Sequence, residues 1–293
     1  HVLDLKLVNR GAIAKANLKV VVDAVNSVGG TVIPALLKAL GVKEVVELNC
    51  EPTGRFAHNP EPIPENLIQI SEKIKECGAD LGIVVDPDVD RLALVCENGE
   101  MFVEEYTLVA VADYVLKHTP GNTVSNLSSS RALRDVTLAH GQQYNAAAVG
   151  EVNVVTKMKE TNTVIGGEGN GGVIYPESHY GRDALVGVGL FLSHFVAEGK
   201  SMTVLKATYP QYFISKNKLT LSPDMDVDKI LEGLKKKYAS EEITDIDGVK
   251  IDFKDGWVHL RKSNTEPIIR IYSESKDEAA ANQLAEEVIK VAQ

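Results

Sequence analysis

Residues 79–96 of the chain read Ala-Asp-Leu-Gly-Ile-Val-Val-Asp-Pro-Asp-Val-Asp-Arg-Leu-Ala-Leu-Val-Cys, an apolar run that leads directly into three aspartates spaced two residues apart. Alternate residues of an extended segment point the same way, so Asp86, Asp88 and Asp90 can turn their carboxylates toward one point. Carboxylates held that close repel one another unless a cation lies between them. Mg²⁺ prefers oxygen ligands and keeps coordination positions open for water and phosphate. The stretch therefore predicts a Mg²⁺ site, with Arg91 placed to bind a phosphate oxygen beside the metal.

The same residues allow two other interpretations. An EF-hand loop needs a glycine at its sixth position, which here is Arg91, and helices on both sides where this sequence predicts strands, so it is excluded. A phosphatase with an aspartate nucleophile also has an Asp-x-Asp after a buried strand, which would make Asp86 the nucleophile, and this is the alternative mechanism. A merely solvated acidic turn is the third interpretation, although such turns seldom follow a buried strand with this spacing.

Composition limits the class of protein. At 293 residues the chain is long enough for two or three domains of about 100 to 200 residues. Its 44% hydrophobic and 25% charged content is that of a soluble globular protein, and no apolar run approaches the ~18 residues of a membrane span. A formal net charge of −10 without a basic patch argues against binding nucleic acid. The scattered Cys50, Cys77 and Cys96 lack metal-ligand spacing and indicate reduced thiols in a cytoplasmic protein.

Strand and helix patterns alternate over the first hundred residues, which predicts an α/β fold. The predicted strands there are 18–22, 42–48, 81–85, 92–96 and, across an Asn98-Gly99 turn, 101–103; the predicted helices are 32–40 and 63–77. A second α/β region follows, with predicted helices at 106–118, 131–140, 152–160 and 183–198 and predicted strands at 123–127 and 164–165. The pattern changes near residue 214, after which antiparallel strands are predicted at 248–253, 257–260 and 268–273 and helices at 227–238 and 276–291. The expected fold is two consecutive α/β domains with mixed sheets followed by a small α+β domain with an antiparallel sheet. The expected domains are 1–105, 106–213 and 214–293.

Residues 166–172, Gly-Gly-Glu-Gly-Asn-Gly-Gly, contain a formal Gly-x-Gly-x-x-Gly pattern. The residues that follow are extended and end at Pro176, so no helix begins there to bind a pyrophosphate, and a dinucleotide site is excluded. The interpretation we favour is that the glycines let the backbone approach a ligand closely, which leaves Glu168 and Asn170 to reach sugar hydroxyls. A flexible turn with an incidental glutamate is the alternative.

Residues 261–267, Arg-Lys-Ser-Asn-Thr-Glu-Pro, join two predicted strands. They offer a guanidinium, two hydroxyls, an amide and several backbone N–H groups, which together can surround a phosphate dianion. An ordinary polar hairpin is the alternative, because Ser-Asn-Thr is common turn chemistry. We expect the Arg261 side chain to be exposed.

In their order and spacing these three motifs, at 86–91, 167–171 and 261–267, resemble the α-D-phosphohexomutase superfamily, which includes phosphomannomutase/phosphoglucomutase and phosphoglucosamine mutase. The resemblance covers essentially the whole chain and implies domains two, three and four of a four-domain enzyme. It also implies the Mg²⁺ ligands Asp86, Asp88 and Asp90, with Glu168 and Asn170 reading the sugar hydroxyls. It implies a clamp on the non-transferred phosphate formed by Arg261, Ser263, Asn264 and Thr265. His179 is a further candidate contact for the sugar.

Members of this superfamily carry the transferable phosphate on a serine of their first domain, typically inside Ser-His-Asn-Pro. Here His58-Asn59-Pro60 is preceded by Ala57, and no such serine loop occurs in the sequence. The chain starts at His1 in what resembles the linker into domain two, so we expect an inactive fragment of a mutase. Its expected partners are a hexose phosphate and the missing N-terminal domain of the parent, with no nucleic acid or membrane.

The parent is expected to interconvert hexose 1-phosphate and hexose 6-phosphate, with Mg²⁺, through a phosphoserine and a bisphosphorylated sugar. Glucose, mannose and glucosamine phosphates are not distinguished, because Asn170 and Gly172 depart from many relatives where hydroxyl orientation is read. The sequence does not identify the general base that the sugar hydroxyl needs. The alternatives are an aspartyl-nucleophile sugar-phosphate phosphatase and a non-catalytic sugar-phosphate binding protein.

Overall fold

The computed structural model describes residues 1–221, 225–263 and 266–292 and contains two compact units. Unit 1 consists of His1–Ser125, Ala132–Asn145 and Gly150–Pro210. Unit 2 consists of Asn126–Arg131, Ala146–Val149 and Gln211–Gln293. Within the described ranges, none of the helices combines the length and the apolar character that a membrane crossing requires.

The first sheet has four strands in the order β2-β1-β3-β4. The strands are β1 Lys19–Asp23, β2 Glu44–Leu48, β3 Leu81–Val85 and β4 Leu92–Cys96, and the helices of this region are α1 Arg10–Ala16, α2 Gly29–Leu40 and α3 Ile68–Cys77. β1 runs parallel to β2 and β3, whereas β4 is antiparallel to β3. Every residue of β3 and β4 is buried, and Ile70 and Ile74 of α3 pack with Val21 and Val84 of the sheet. The motif at residues 86–91, called the metal loop below, therefore joins the two most buried strands of this sheet.

The second sheet has the order β6-β5-β7-β8. Its strands are β5 Thr123–Asn126, β6 Tyr144–Ala147, β7 Ile165–Glu168 and β8 Gly172–Ile174, and the helices of this region are α4 Glu104–His118, α5 Arg131–Ala139, α6 Glu151–Glu160, α7 Ala184–Glu198 and α8 Met202–Lys206. β5 is parallel to β7, and β7 is antiparallel to β8. α4 and α7 are buried along most of their length, and Phe102 meets Phe191 of α7 edge to face at 5.6 Å between ring centroids. The Gly-rich motif forms the turn between β7 and β8.

The third sheet is entirely antiparallel, in the order β10-β11-β12-β13-β9. Its elements are β9 Phe213–Thr220, α9 Val227–Lys237, β10 Glu242–Thr244, β11 Val249–Phe253, β12 Gly256–Lys262, β13 Ile268–Ser275 and α10 Glu278–Ala292. Alternate residues of β11, β12 and β13 bury one face of the sheet against α9 and α10, as alternation in a half-buried sheet requires. Leu234 of α9 and Val288 of α10 complete this core.

Arg131, at the start of α5, is a buried part of unit 2. Its guanidinium donates to Asp252 Oδ1 and to the carbonyl oxygen of Gly256, each at 2.8 Å. Its backbone N–H donates at 3.0 Å to the carboxylate of Glu274, which is fully buried and also accepts from the Trp257 indole at 2.8 Å. A segment far away in sequence thus satisfies polar groups of the antiparallel sheet.

The predicted fold class is confirmed: two regions with mixed sheets precede an antiparallel sheet. β3 and β4 have the predicted bounds. The predicted strand at 101–103 is wrong, because only Met101 pairs, as an isolated bridge to Val95. Val103 has a φ of 74°, which ends the extended chain before α4 begins at Glu104.

Candidate active site

The loop between β3 and β4 is organised by Asp86, the first residue after β3. Its Oδ1 accepts the backbone N–H groups of Asp90 at 3.1 Å and Arg91 at 3.0 Å, so the loop curls back over this carboxylate. Val89 has a φ of 61°, which is strained for a β-branched residue. The hydrogen bonds to Asp86 offset the cost of this strained conformation and fix the backbone of the loop that carries Asp88 and Asp90.

The three aspartates converge. One carboxylate oxygen from each of Asp86, Asp88 and Asp90 lies within 4.8 Å of the other two. Asp90 Oδ1 is buried and has no hydrogen-bond partner among the described residues. Burial raises the pKa of Asp86 to about 7; the Arg91 backbone N–H opposes this rise and the charge of Asp90 adds to it. Crowded carboxylates with an unsatisfied buried oxygen form a donor set that fits a hard cation such as Mg²⁺.

Arg91 lies beside these carboxylates. Its Nε is 3.5 Å from Asp86 Oδ2 and 3.8 Å from Asp90 Oδ1. Within the described part of the chain this Nε makes no hydrogen bond. Arg91 therefore offsets part of the negative charge of the loop, and the exposed part of its guanidinium could bind a phosphate oxygen.

Arg182, which precedes α7, joins three acidic residues and was missed in the sequence analysis. One terminal nitrogen, NH2, donates to Asp90 Oδ2, and the other, NH1, donates to Glu168 Oε2 at 3.0 Å. Its Nε donates to Glu151 Oε2 at 3.2 Å. The Arg182 side chain is only 15% exposed. Arg182 directly precedes Asp183, the N-cap of α7, so its positive charge lies near the positive end of the helix dipole, which is unfavourable. This position before a helix was the one sequence signal that pointed to acidic partners for Arg182.

Glu168 ends β7 and lies inside unit 1, 4% exposed. Besides its bond to Arg182, its Oε1 accepts the backbone N–H of Gly150 at 3.2 Å. The carboxylate is thus held from two sides.

The turn after Glu168 is shaped by its neighbours. Asn170 Oδ1 accepts the backbone N–H of Gly172 at 3.1 Å and closes the turn. Gly169 lies against the carboxylate of Glu105 in α4, where any Cβ would overlap it. Close approach to Glu105 therefore explains why this position is glycine.

His179 is half-exposed, and its Nε2 lies 2.9 Å from Asp183 Oδ2. Asp183 Oδ1 in turn accepts the backbone N–H of Val186 and caps α7. The structure therefore places His179 in the segment that carries Arg182.

The described residues of the 261–267 motif belong to unit 2. Arg261 lies in β12 with its side chain 19% exposed, so the expectation of an exposed side chain is wrong. Its Nε is 3.8 Å from Asp247 Oδ2 and makes no hydrogen bond within the described residues. Ser263 is buried, and its backbone N–H donates to the carbonyl oxygen of Ile268 at 3.0 Å. Asn264 and Thr265 lie outside the described residues.

Asp247 is itself held in place. Its Oδ2 accepts the backbone N–H of Val149 at 3.0 Å, and its carbonyl oxygen is 2.6 Å from His259 Nε2. A carbonyl only accepts, so His259 donates from Nε2, and its Nδ1 accepts from the Ser128 hydroxyl at 2.9 Å. Burial lowers the pKa of His259 to about 4. A neutral imidazole therefore supports the acid that faces Arg261.

Comparison with known proteins gives the family. Sequence models named phosphoglucomutase/phosphomannomutase match three successive parts of the chain: α/β/α domain II at residues 2–99, α/β/α domain III at 104–212 and the C-terminal domain at 219–291. The chain belongs to the phosphoglucomutase/phosphomannomutase family. The superfamily inferred from the three motifs is thereby confirmed.

Individual relatives of this family agree. A phosphoglucomutase/phosphomannomutase of Thermococcus kodakarensis is 40% identical over 284 residues, which cover 96% of this chain and 62% of that protein. A phosphoglucosamine/phosphogalactosamine mutase of Sulfurisphaera tokodaii is 33% identical over 285 residues, covering 95% and 62%. The crystal structure of a phosphoglucomutase/phosphomannomutase family protein from Burkholderia thailandensis superposes with a TM-score of 0.83 at 28% identity, covering 97% of this chain and 63% of that one. The chain thus spans about 62% of the length of the curated relatives it matches.

Proposed function

We propose that this chain is the metal- and substrate-binding part of a phosphohexomutase, which interconverts hexose 1-phosphate and hexose 6-phosphate. The observation that carries the proposal is the convergence of the carboxylates of Asp86, Asp88 and Asp90 after a buried strand. Membership of a family whose named relatives are mutases supports the same reaction. Its three domains are proposed at residues 1–105, 106–213 and 214–293.

In this proposal Asp86, Asp88 and Asp90 hold Mg²⁺. When bound, the ion would supply positive charge to the phosphoryl group in transfer. Arg91 binds an oxygen of that phosphoryl group through its guanidinium, since this side chain is 32% exposed. The buried Oδ1 of Asp90 supports a cation at this point, because it has no hydrogen bond among the described residues and only a 3.8 Å contact with Arg91 Nε, and a buried oxygen without a hydrogen bond is costly.

The sugar and its second phosphate are bound elsewhere in the chain. Glu168, Asn170 and His179 are proposed to read the sugar hydroxyls. Arg261, Ser263, Asn264 and Thr265 are proposed to clamp the phosphate that is not being transferred. Arg261 suits this task because its guanidinium carries a permanent charge that the 3.8 Å contact with Asp247 offsets only in part, and its side chain is 19% exposed.

The reaction is proposed to pass through a phosphoserine and a bisphosphorylated sugar, with the serine supplied by the part of the parent that this chain does not contain. The chain alone is then proposed to bind its ligands without turnover. A cytoplasmic location is part of the proposal and is supported by the free thiols of Cys50, Cys77 and Cys96.

Phosphorus NMR of the purified chain with hexose 1-phosphate, glucose 1,6-bisphosphate and Mg²⁺ tests these points. We expect no conversion to 6-phosphate, and calorimetry on the same sample should show binding of hexose phosphate. Conversion would contradict the inactive-fragment proposal, and failure to bind any hexose phosphate would contradict the function as a whole. Release of inorganic phosphate that is lost in Asp86→Asn would favour an aspartyl-nucleophile phosphatase instead.

A further inference from the structure

Arg182 connects carboxylates from three separate segments of unit 1. Its two terminal nitrogens bind Asp90 in the metal loop and Glu168 at the end of β7, the latter at 3.0 Å, and its Nε binds Glu151 at the start of α6 at 3.2 Å. The Arg182 backbone N–H also donates to Glu151, at 3.2 Å. A guanidinium is planar, so three acids on three different nitrogens are held at fixed mutual angles.

The contact with Asp90 decides which of its oxygens faces a cation. Arg182 binds Oδ2, whereas Oδ1 is buried and has no hydrogen-bond partner in the described ranges. Without Arg182 the carboxylate could turn and exchange its two oxygens. Partners that fix the orientation of a ligand in this way typically change metal affinity by about 10-fold to 100-fold.

The contact with Glu168 has a corresponding effect at the sugar loop. Its Oε2 is bound by Arg182 and its Oε1 by the Gly150 N–H. At 4% exposure this carboxylate depends on such partners, because an unpaired buried charge is costly. Loss of the Arg182 contact would remove a charged donor from Glu168 Oε2.

We infer that Arg182 is a positioning residue that orients Asp90 toward the metal and Glu168 toward the sugar through one guanidinium. The inference rests on the proposed function and extends it to a residue outside the three sequence motifs. What Arg182 contributes is the geometry of its fork, since a point charge at the same place would balance the acids without fixing their angles.

Arg182→Lys isolates that geometry, because lysine keeps the charge and loses the fork. The probe for the metal loop is Mn²⁺, a hard cation that takes oxygen ligands, with free Mn²⁺ followed by electron paramagnetic resonance. We expect the affinity of the variant for Mn²⁺ to fall by about 10-fold or more. Binding of the hexose 1-phosphate that the wild type binds, measured by calorimetry in EDTA, should weaken in the same variant.

Arg134→Lys is the matched control, because Arg134 lies in α5 and pairs with its neighbour Asp135 at 3.2 Å. Its Mn²⁺ affinity should equal that of the wild type. A second variant, Glu151→Gln, weakens the anchor of Arg182 Nε while leaving Asp90 and Glu168 intact, and it decides the matter if Arg182→Lys folds poorly in a thermal melt without metal. It should also lose Mn²⁺ affinity, by less than Arg182→Lys.

Two results would overturn the inference, and they differ in what else they overturn. Wild-type Mn²⁺ affinity in both Arg182→Lys and Glu151→Gln would show that charge alone suffices, and the proposed function would stand. If the wild-type chain shows no Mn²⁺ binding that Asp88→Asn removes, both the inference and the proposed metal site fail.

Discussion

Acidification is expected to destabilise unit 2 through His259. The imidazole is 1% exposed, with Nε2 donating to the carbonyl oxygen of Asp247 and Nδ1 accepting from Ser128. A second proton would have to be added at Nδ1, which would reverse the hydrogen bond with the Ser128 hydroxyl and charge a buried ring. Burial accordingly lowers the pKa of His259 to about 4, whereas a histidine in an unfolded chain titrates near ~6.5.

The sign of the effect follows from the order of protonation. Because the pKa of His259 is lower in the folded state, the unfolded chain takes up this proton first as the pH falls. The stabilising contribution is complete above about pH 6.5 and is lost progressively down to about pH 4. Between pH 7 and pH 5 the linkage relation gives a loss of about 2 kcal/mol. Burial raises the pKa of Glu274, which acts in the opposite direction, so the measurement must isolate His259.

Trp257 makes the measurement specific, since it is the single tryptophan of the chain and is fully buried in β12 of unit 2. Urea unfolding followed by its fluorescence should be compared at pH 7 and pH 5 for the wild type and for His259→Gln. The contribution of Glu274 is common to both proteins and cancels in the difference. The wild type should lose about 2 kcal/mol more than the variant on acidification. Equal losses in the two proteins would refute the assignment of a neutral, buried His259.

Four further substitutions test other parts of the structure. Gly233→Ala in α9, where an added Cβ meets open space, should raise the free energy of unfolding by about 0.5 to 1 kcal/mol in urea; a decrease would contradict the helix assignment. Gly169→Ala should lower the free energy of unfolding by about 1 to 3 kcal/mol, because the new methyl group overlaps the Glu105 carboxylate. An unchanged thermal midpoint would mean that the Glu105 side chain moves aside. Arg261→Ala should weaken phosphate or hexose phosphate binding by about 1.5 to 3 kcal/mol in calorimetry at low ionic strength, and unaltered affinity would remove this loop from the site. Asp88→Asn should weaken Mg²⁺ binding in calorimetry and leave the urea midpoint unchanged, since Asp88 is exposed; retained Mg²⁺ affinity would argue against the aspartate site.

The elements that the sequence predicts well are those whose residues are mostly apolar and are buried in the structure. β3 and β4 are uninterrupted apolar runs that stop at polar residues, and their bounds match the structure. Three of the elements it misses, namely β9, α1 and β6, bury little. In β9 a single residue, Ser215, is buried, and in α1 a single residue, Ile13, is buried, so neither shows a strong apolar period. β6 is similar, with Ala147 as its buried residue.

The residues of the candidate site also differ in whether nearby sequence predicts their contacts. Asp86, Asp88 and Asp90 are close in sequence, so strand geometry alone predicts that their carboxylates can meet. The contacts of Arg182 cannot be read locally, because its partners lie 92 residues away at Asp90 and 31 residues away at Glu151. The contact of Arg261 with Asp247 likewise joins separate segments, since Asp247 lies in the connection before β11.

The place of Arg131 in unit 2 affects how this protein can be cut and how it can fold. A recombinant chain begun at residue 211 would retain all five strands of the antiparallel sheet and both of its helices. It would nevertheless leave the buried Glu274 without the Arg131 backbone N–H and Asp252 without the Arg131 guanidinium. During synthesis, Arg131 emerges long before Glu274, which lies 143 residues further on. Residues 126–131 therefore cannot make these contacts until the last part of the chain has been made. Contacts that span such a length slow folding. Unit 2 therefore cannot be moved to another protein as residues 211–293 alone, because a fusion or deletion made at residue 211 removes part of its interior.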